Sequence, residues 1–140
     1  MKFHFWYIVL SLFFGALVVS GYYWLTALDL FYFDVPFLDM IIVALAAMRL
    51  VRLFTYDVIT KFIRDWFVGA DPESFRGTLG ALIGCPWCSG LWFAAFILFF
   101  YYLQPFGGYV ILILAIASIV SMLQLLANFI GWSAEVKKQE

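Results

Sequence analysis

Charge is scarce in this sequence. Only 12% of its 140 residues are Asp, Glu, Lys or Arg, about half the usual share of a water-soluble domain, while 66% are hydrophobic and 22% aromatic. Such a chain does not turn a charged surface to water on every side, and its apolar runs are long enough to have lipid as their solvent. Histidine is nearly missing, with His4 the single one. That leaves no nucleophile–histidine pair, and neither a phosphate loop nor paired acids within the apolar runs stand in for it. With two cysteines, Cys85 and Cys88, the chain lacks a second thiol pair to relay electrons and supplies only half of a tetrahedral zinc site. The net charge of -1 points to no nucleic acid as a partner. No charge falls inside the first, third or fourth apolar run, which counts against a small holin-like pore.

What is present is a series of apolar segments. The first, about residues 5–28, outspans a hydrocarbon core of about 30 Å. It is too long for an ordinary signal-peptide core, and no small-x-small cleavage site follows it. Asp29, Asp34 and Asp39 then share an interfacial loop with Phe31, Tyr32, Phe33 and Phe37, aromatics that suit the headgroup level. A second helix starts near Pro36 and runs to about residue 54, with Arg49 and Arg52 near its far end. From residue 55 to 67 the pattern turns amphipathic: Val58, Ile59, Phe62, Ile63 and Trp66 fall on one side, and Asp57, Thr60, Lys61, Arg64 and Asp65 on the other. Asp57 with Lys61, and Lys61 with Asp65, have the spacing of helical ion pairs. The stretch 69–76 is a polar loop, and 78–84 is apolar but too short and glycine-rich to span.

A third helix is expected over residues 86–103, a tight uncharged turn at 104–108, and a fourth helix over 109–130. Ser118, Ser121, Gln124 and Asn128 mark that helix's face toward its neighbours, and the charged tail from Ala134 should fray. The expectation is an all-α polytopic membrane protein forming one integral domain over 1–140. It has four transmembrane helices plus an amphipathic helix. All eight basic residues fall on the side of the termini, so both ends are expected in the cytoplasm.

Two clusters carry chemistry. In Cys85-Pro86-Trp87-Cys88, a cysteine capping a helix whose first residue is proline faces unpaired backbone N–H groups, which favour a thiolate. Three readings stay open. One is a membrane thiol–disulfide oxidoreductase, like the four-helix disulfide-forming enzymes in logic but placed in a reducing compartment. Another is zinc held by Cys85 and Cys88 and shared between copies, or completed by His4 and a carboxylate such as Asp57. The third is simple packing. The second cluster is Arg49, Arg52, Asp57 and Arg64. Arg49 lies deepest and needs a partner, and Asp57 shares its face, with Arg64, if the helix is unbroken. Such a basic surface can also hold anionic lipid headgroups.

Together, Arg-Leu-x-Arg-Leu-x-Thr-x-Asp-x-Ile-Thr, a following arginine, and Cys-x-Trp-Cys-x-Gly-x-Trp opening an apolar helix resemble a family of small bacterial and phage membrane proteins. That family is catalogued as a domain of unknown function, and some members are YjcA-like and sporulation-associated. The resemblance runs from about residue 44 to 95 and rests on Arg49, Arg52, Asp57, Arg64, Cys85, Trp87, Cys88, Gly90 and Trp92. Where members have a proline before the last arginine of the first half, this chain has Phe62 and Ile63. The resemblance implies a bacterial inner-membrane location and this choice of residues, but no reaction. The favoured function is therefore a non-enzymatic membrane protein. Its cytoplasmic motif region would bind a partner, a lipid headgroup or its own copies as a homo-oligomer.

Overall fold

The computed structural model describes residues 3–103 and 105–139, with side chains from 5 to 138. Lys2 and the His4 side chain, both assigned above to the cytoplasmic side, lie outside the described residues. Among those described the chain is all-helical, without a strand.

The first helix, α1 (Phe3–Ala27), ends where its backbone turns left-handed at Asp29, with φ of 53°. The N–H of Leu30 reaches the Leu25 carbonyl at 3.0 Å and that of Asp29 reaches Thr26 at 3.1 Å. This paired closure satisfies carbonyls that the helix end would otherwise orphan. Helix α2 (Phe37–Thr55) begins directly after Pro36.

The amphipathic stretch does not continue α2 as one helix. Tyr56 closes α2 and Asp57 is extended. A 3-10 turn (Val58–Thr60) then leads into the short α3 (Lys61–Phe67). The 100° periodicity survives, but tertiary hydrogen bonds take the last carbonyls of α2 and prevent the next turn from forming. The expected pairs of Lys61 with Asp57 and Asp65 do not form among the described residues: Asp57 turns back to Arg49, while Lys61 and Asp65 share α3 without pairing.

The expected polar loop follows, and Ser74 caps α4 (Phe75–Gly84) by accepting the Gly77 N–H at 3.0 Å. Gly77 is required there, since a Cβ would lie 2.1 Å from the Asp71 carbonyl oxygen. The apolar 78–84 segment is thus helical and joined to α5 (Pro86–Tyr102) through an 88° bend. Pro86 cannot continue α4, and it holds the preceding Cys85 extended at φ -101° and ψ 106°. Helix α6 (Phe106–Gln139) starts earlier than expected and absorbs the charged tail that should have frayed.

Helices α2, α5 and α6 form the core. Ala46 and Ser118 are fully buried, and Ala47, Ala115 and Ile111 nearly so, which lets α2 and α6 approach closely. The small polar stripe of α6 is only half inside: Ser118 is buried and Ser121 partly so, whereas Gln124 and Asn128 are exposed and bond each other at 3.1 Å. Helix α1 leans on α4 and α5, and among the described residues its backbone does not approach α2 or α6. An apolar cleft of about 1030 Å³, lined by Phe14, Gly21, Leu50, Phe54, Trp92 and Phe99 among others, separates it from the core.

Among the described residues two helices are long and apolar enough to cross a bilayer by themselves, Phe5–Ala27 and Phe106–Lys138, and the bent α4–α5 pair brings the number to three at most. Four such helices were expected. The shortfall lies in α2, which carries Asp39, Arg49 and Arg52 within 19 residues, and in α5, which has 17. At one end of the bundle Tyr32 donates to the Tyr101 hydroxyl at 3.0 Å, Tyr101 donates to Asp39, and Tyr102 donates to the Tyr32 carbonyl at 2.9 Å. The opposite end is where the basic residues gather.

Candidate functional site at the basic end

The site is built on the way α2 stops. The last carbonyls of a helix lack intrahelical donors, and here a residue from the next helix supplies them. Arg64 on α3 donates through Nη1 to the Phe54 carbonyl at 2.9 Å and to Thr60 Oγ1 at 3.0 Å, and through Nη2 to the Asp57 carbonyl at 2.8 Å. The Thr60 hydroxyl donates to the Leu53 carbonyl. A guanidinium offers its donors in a fixed planar fork, which suits it to bind several carbonyls at once and places its charge at the negative end of the α2 dipole.

Arg49 closes the arrangement from inside. Its Nη2 lies 3.0 Å from Asp57 Oδ2, with the two side chains 23% and 27% exposed, and its Nη1 donates to Ser121 Oγ on α6 at 2.9 Å. Arg49, Asp57 and Arg64 do meet, as their spacing implied, but across a break and not along a continuous face. Arg52 differs. Its Nε is buried without a hydrogen-bond partner, and no acid among the described residues pairs with it. An unmet donor of that kind costs about 1–3 kcal/mol, more when it is charged.

The cysteine half of the motif lies against this one. Thr55 Oγ1 donates to the Ile83 carbonyl at 3.2 Å, tying the end of α2 to the end of α4, and Phe54 stacks on Phe93 at 5.1 Å between centroids. Cys85 is the N-cap of α5: its Sγ accepts the Cys88 N–H at 3.3 Å, and its carbonyl accepts the Ser89 hydroxyl at 2.9 Å. Both thiols are free, with Cys85 half-buried and Cys88 exposed. The Cys88 thiol and the backbone N–H groups pointing at Cys85, ahead of the spanning part of α5, hold its thiol below the ordinary cysteine range.

The tryptophans of the motif part company. Trp87 is 90% exposed, whereas Trp92 packs between α5 and α1 with its ring 4.9 Å from that of Phe14. On the shelf beyond, the Arg76 guanidinium sits 5.4 Å from the Trp66 ring centroid and donates to the Trp66 carbonyl, joining α4 to α3.

No three metal-capable side chains gather among the described residues, so the zinc site completed within one chain through Asp57 is not formed; Asp57 is engaged by Arg49. Cys85 and Cys88 remain a two-ligand set. Three contributors escaped the reading of the sequence: Thr55, Thr60 and Ser121. Thr55 and Thr60 stand in the motif itself, and Ser121 in the small polar stripe of α6. Their partners are backbone carbonyls and a residue 72 positions away, which local spacing does not reveal.

Fold and site together define a small all-helical protein with helices able to cross a membrane. At one end, an arginine-held helix break packs against a dithiol elbow. The family described as "Protein of unknown function (DUF1360)" matches residues 68–127, that is α4, α5 and most of α6. The chain is 29% identical over 108 residues to Sporulation protein YjcA of Bacillus subtilis (strain 168), covering 65% of this chain and 92% of that protein. It is 34% identical over 100 residues to UPF0713 protein YngL of the same organism, covering 63% and 77%. The chain belongs to this YjcA-like family of unknown function. The matched segment starts after Arg64, so it holds the cysteine half of the motif and not the arginine half. No solved structure matches the chain.

Proposed function

We propose that this is a non-enzymatic protein of the bacterial cytoplasmic membrane whose basic end binds anionic lipid headgroups of the inner leaflet. In this reading α1, α2, α5 and α6 each cross the bilayer and both termini are cytoplasmic. Arg49, Arg52, Lys61, Arg64 and Arg76 lie around the end of α2 and on α3 and α4, while Asp29, Asp34 and Asp39 lie around the opposite end, in keeping with the charge bias of bacterial loops.

The observation that carries the reading is the α3 shelf. Arg64 holds it against α2, and it exposes Val58, Ile59, Phe62 and Trp66 next to Lys61, an apolar face with a basic flank suited to lie at an anionic interface. The test is thermal unfolding of the purified chain in neutral detergent with added phosphatidylglycerol or phosphatidylcholine. Phosphatidylglycerol should raise Tm more, and replacing Phe62 and Lys61 by Ser and Glu should abolish the difference. Equal shifts with both lipids would remove the proposal.

A second reading, a membrane thiol oxidoreductase, is favoured by one observation: the Cys85 Sγ accepts from Cys88 at the start of α5. Thiol trapping in growing cells separates the two. A Cys85–Cys88 pair cycling between dithiol and disulfide supports catalysis, and a pair always reduced removes it.

A further inference from the structure

We propose that the cleft between α1 and the core is a binding site for one acyl chain of a phospholipid, an inference that deepens the headgroup-binding reading and rests on it for the direction in which the lipid lies. The cleft holds about 1030 Å³ and is walled by three helices: Leu17 and Val18 of α1, Leu50 and Phe54 of α2, and Ala95 and Phe96 of α5 face it. No charged residue lines it among those described. Of its polar side chains, Ser20 donates to the Leu17 carbonyl at 3.0 Å and Tyr102 to the Tyr32 carbonyl at 2.9 Å, so both hydroxyls are already spent. Water has little to bind in such a space, and left empty it deprives its lining of contact atoms. What the surroundings supply is hydrocarbon, and in the form of a chain: along α1 the cleft runs from Phe14 to Leu25, about 16 Å, whereas a spanning helix needs about 30 Å.

Its two ends differ. At the acidic end Phe31 bridges the walls, with its ring 5.1 Å from that of Tyr22 on α1 and 5.3 Å from that of Tyr102 on α5. At the basic end Phe14 of α1 meets Trp92 and Phe54 of α2 stacks on Phe93, but among the described residues no ring contact joins α1 to α2. The cleft is thus stopped at one end and unbridged between α1 and α2 at the other. Phe54 is also the residue whose carbonyl receives Arg64, so the unbridged end lies beside the arginine knot and the α3 shelf. Asp29, Asp34 and Asp39 lie around the stopped end. An anionic phospholipid therefore sits with its headgroup at the shelf and its chain running toward Phe31.

In native mass spectrometry of the full chain from neutral detergent, the protein should retain one dipalmitoyl phosphatidylglycerol. Val18→Trp on one wall and Ala95→Phe on another put a ring where the chain lies, and each should lower retention about tenfold. Ile116→Trp, at an exposed position of α6 outside the cleft, should change it less than twofold. Undiminished retention in either filled variant, or an equal loss in Ile116→Trp, overturns the inference. So does a dimer that the filled variants dissociate while no lipid is retained, which gives the cleft to a second copy. Dipalmitoyl phosphatidylcholine keeps the two readings apart: if it is retained as well as phosphatidylglycerol and lost from the same variants, the chain site stands and the headgroup preference falls.

Unaltered protein gives a check that does not depend on variant folding. Equimolar phosphatidylglycerol with a diazirine at the methyl end of its acyl chain, irradiated in detergent, should leave its adducts on Leu25, Phe31 or Tyr102. Moved next to the ester, the diazirine should mark Phe14 or Phe54 instead. Adducts spread over outward positions such as Leu12 and Ile116, or the same residues marked by both probes, overturn the site.

Discussion

The two ends of this bundle solve the same problem, polar groups near hydrocarbon, with opposite means. At the acidic end a relay of tyrosine hydroxyls ends on a carboxyl group: Tyr32 donates to Tyr101 and Tyr101 to Asp39, with Tyr102 on the Tyr32 carbonyl, and it closes loop, α2 and α5 together. At the basic end charged groups are spent on backbone. Arg64 caps the carbonyls of α2, Arg49 is split between Asp57 and Ser121, and α2 is held in a broken state that a hydroxyl relay would not enforce. The first arrangement makes a lid. The second makes a shelf, and among the described residues it leaves the Arg52 Nε without a partner and two thiols outside any disulfide.

The contrast is broken most severely at Arg64. Arg64→Ala removes the donors from three acceptors around the end of α2 and should lower unfolding stability by about 1.5–3 kcal/mol, read as a drop in Tm in detergent. Arg64→Lys, with a point charge in place of a fork, should recover only part of it. At the acidic end Tyr101→Phe removes one hydroxyl from the relay and should cost about 0.5–1.5 kcal/mol in the same assay. If it costs more than Arg64→Ala, the ranking of the two ends is reversed.

A smaller effect sharpens the picture within the basic end. The Arg49–Asp57 pair is partly exposed, so a double-mutant cycle with Arg49→Gln and Asp57→Asn should give a coupling of about 0.5–1 kcal/mol that shrinks with salt. The subtlest test concerns the thiols. A thiol with a lowered pKa is already thiolate at a lower pH, so Cys85 should be alkylated by iodoacetamide at lower pH than Cys88. Cys88→Ala removes the largest cause of that lowering and should move the Cys85 alkylation profile to higher pH.

Helix limits set by local chemistry were legible in the sequence. Proline opens α2 and α5, and Cys85 caps α5 as its position before Pro86 implied. The break after Thr55 was not legible, because residues 58–66 keep helical periodicity and the donors that stop α2 arrive from Thr60 and Arg64 by folding back. Arg49 was read as needing a partner and Asp57 as its neighbour, and they do pair. The face they were supposed to share does not exist as a continuous helix. Gln124 and Asn128 were misjudged for a related reason: α6 runs on past the α2 contact, so a stripe that begins in the interface ends outside it.

The length of α6 has a consequence for the whole assembly. A rod of 34 residues measures about 51 Å, well beyond a hydrocarbon slab of about 30 Å. Upright, it would stand Phe129, Ile130 and Trp132 in the aqueous phase, and leaning reduces that exposure. The lean that suits a thin membrane is not the lean that suits a thick one. Because Arg49 donates to Ser121, the lean of α6 is shared by the end of α2.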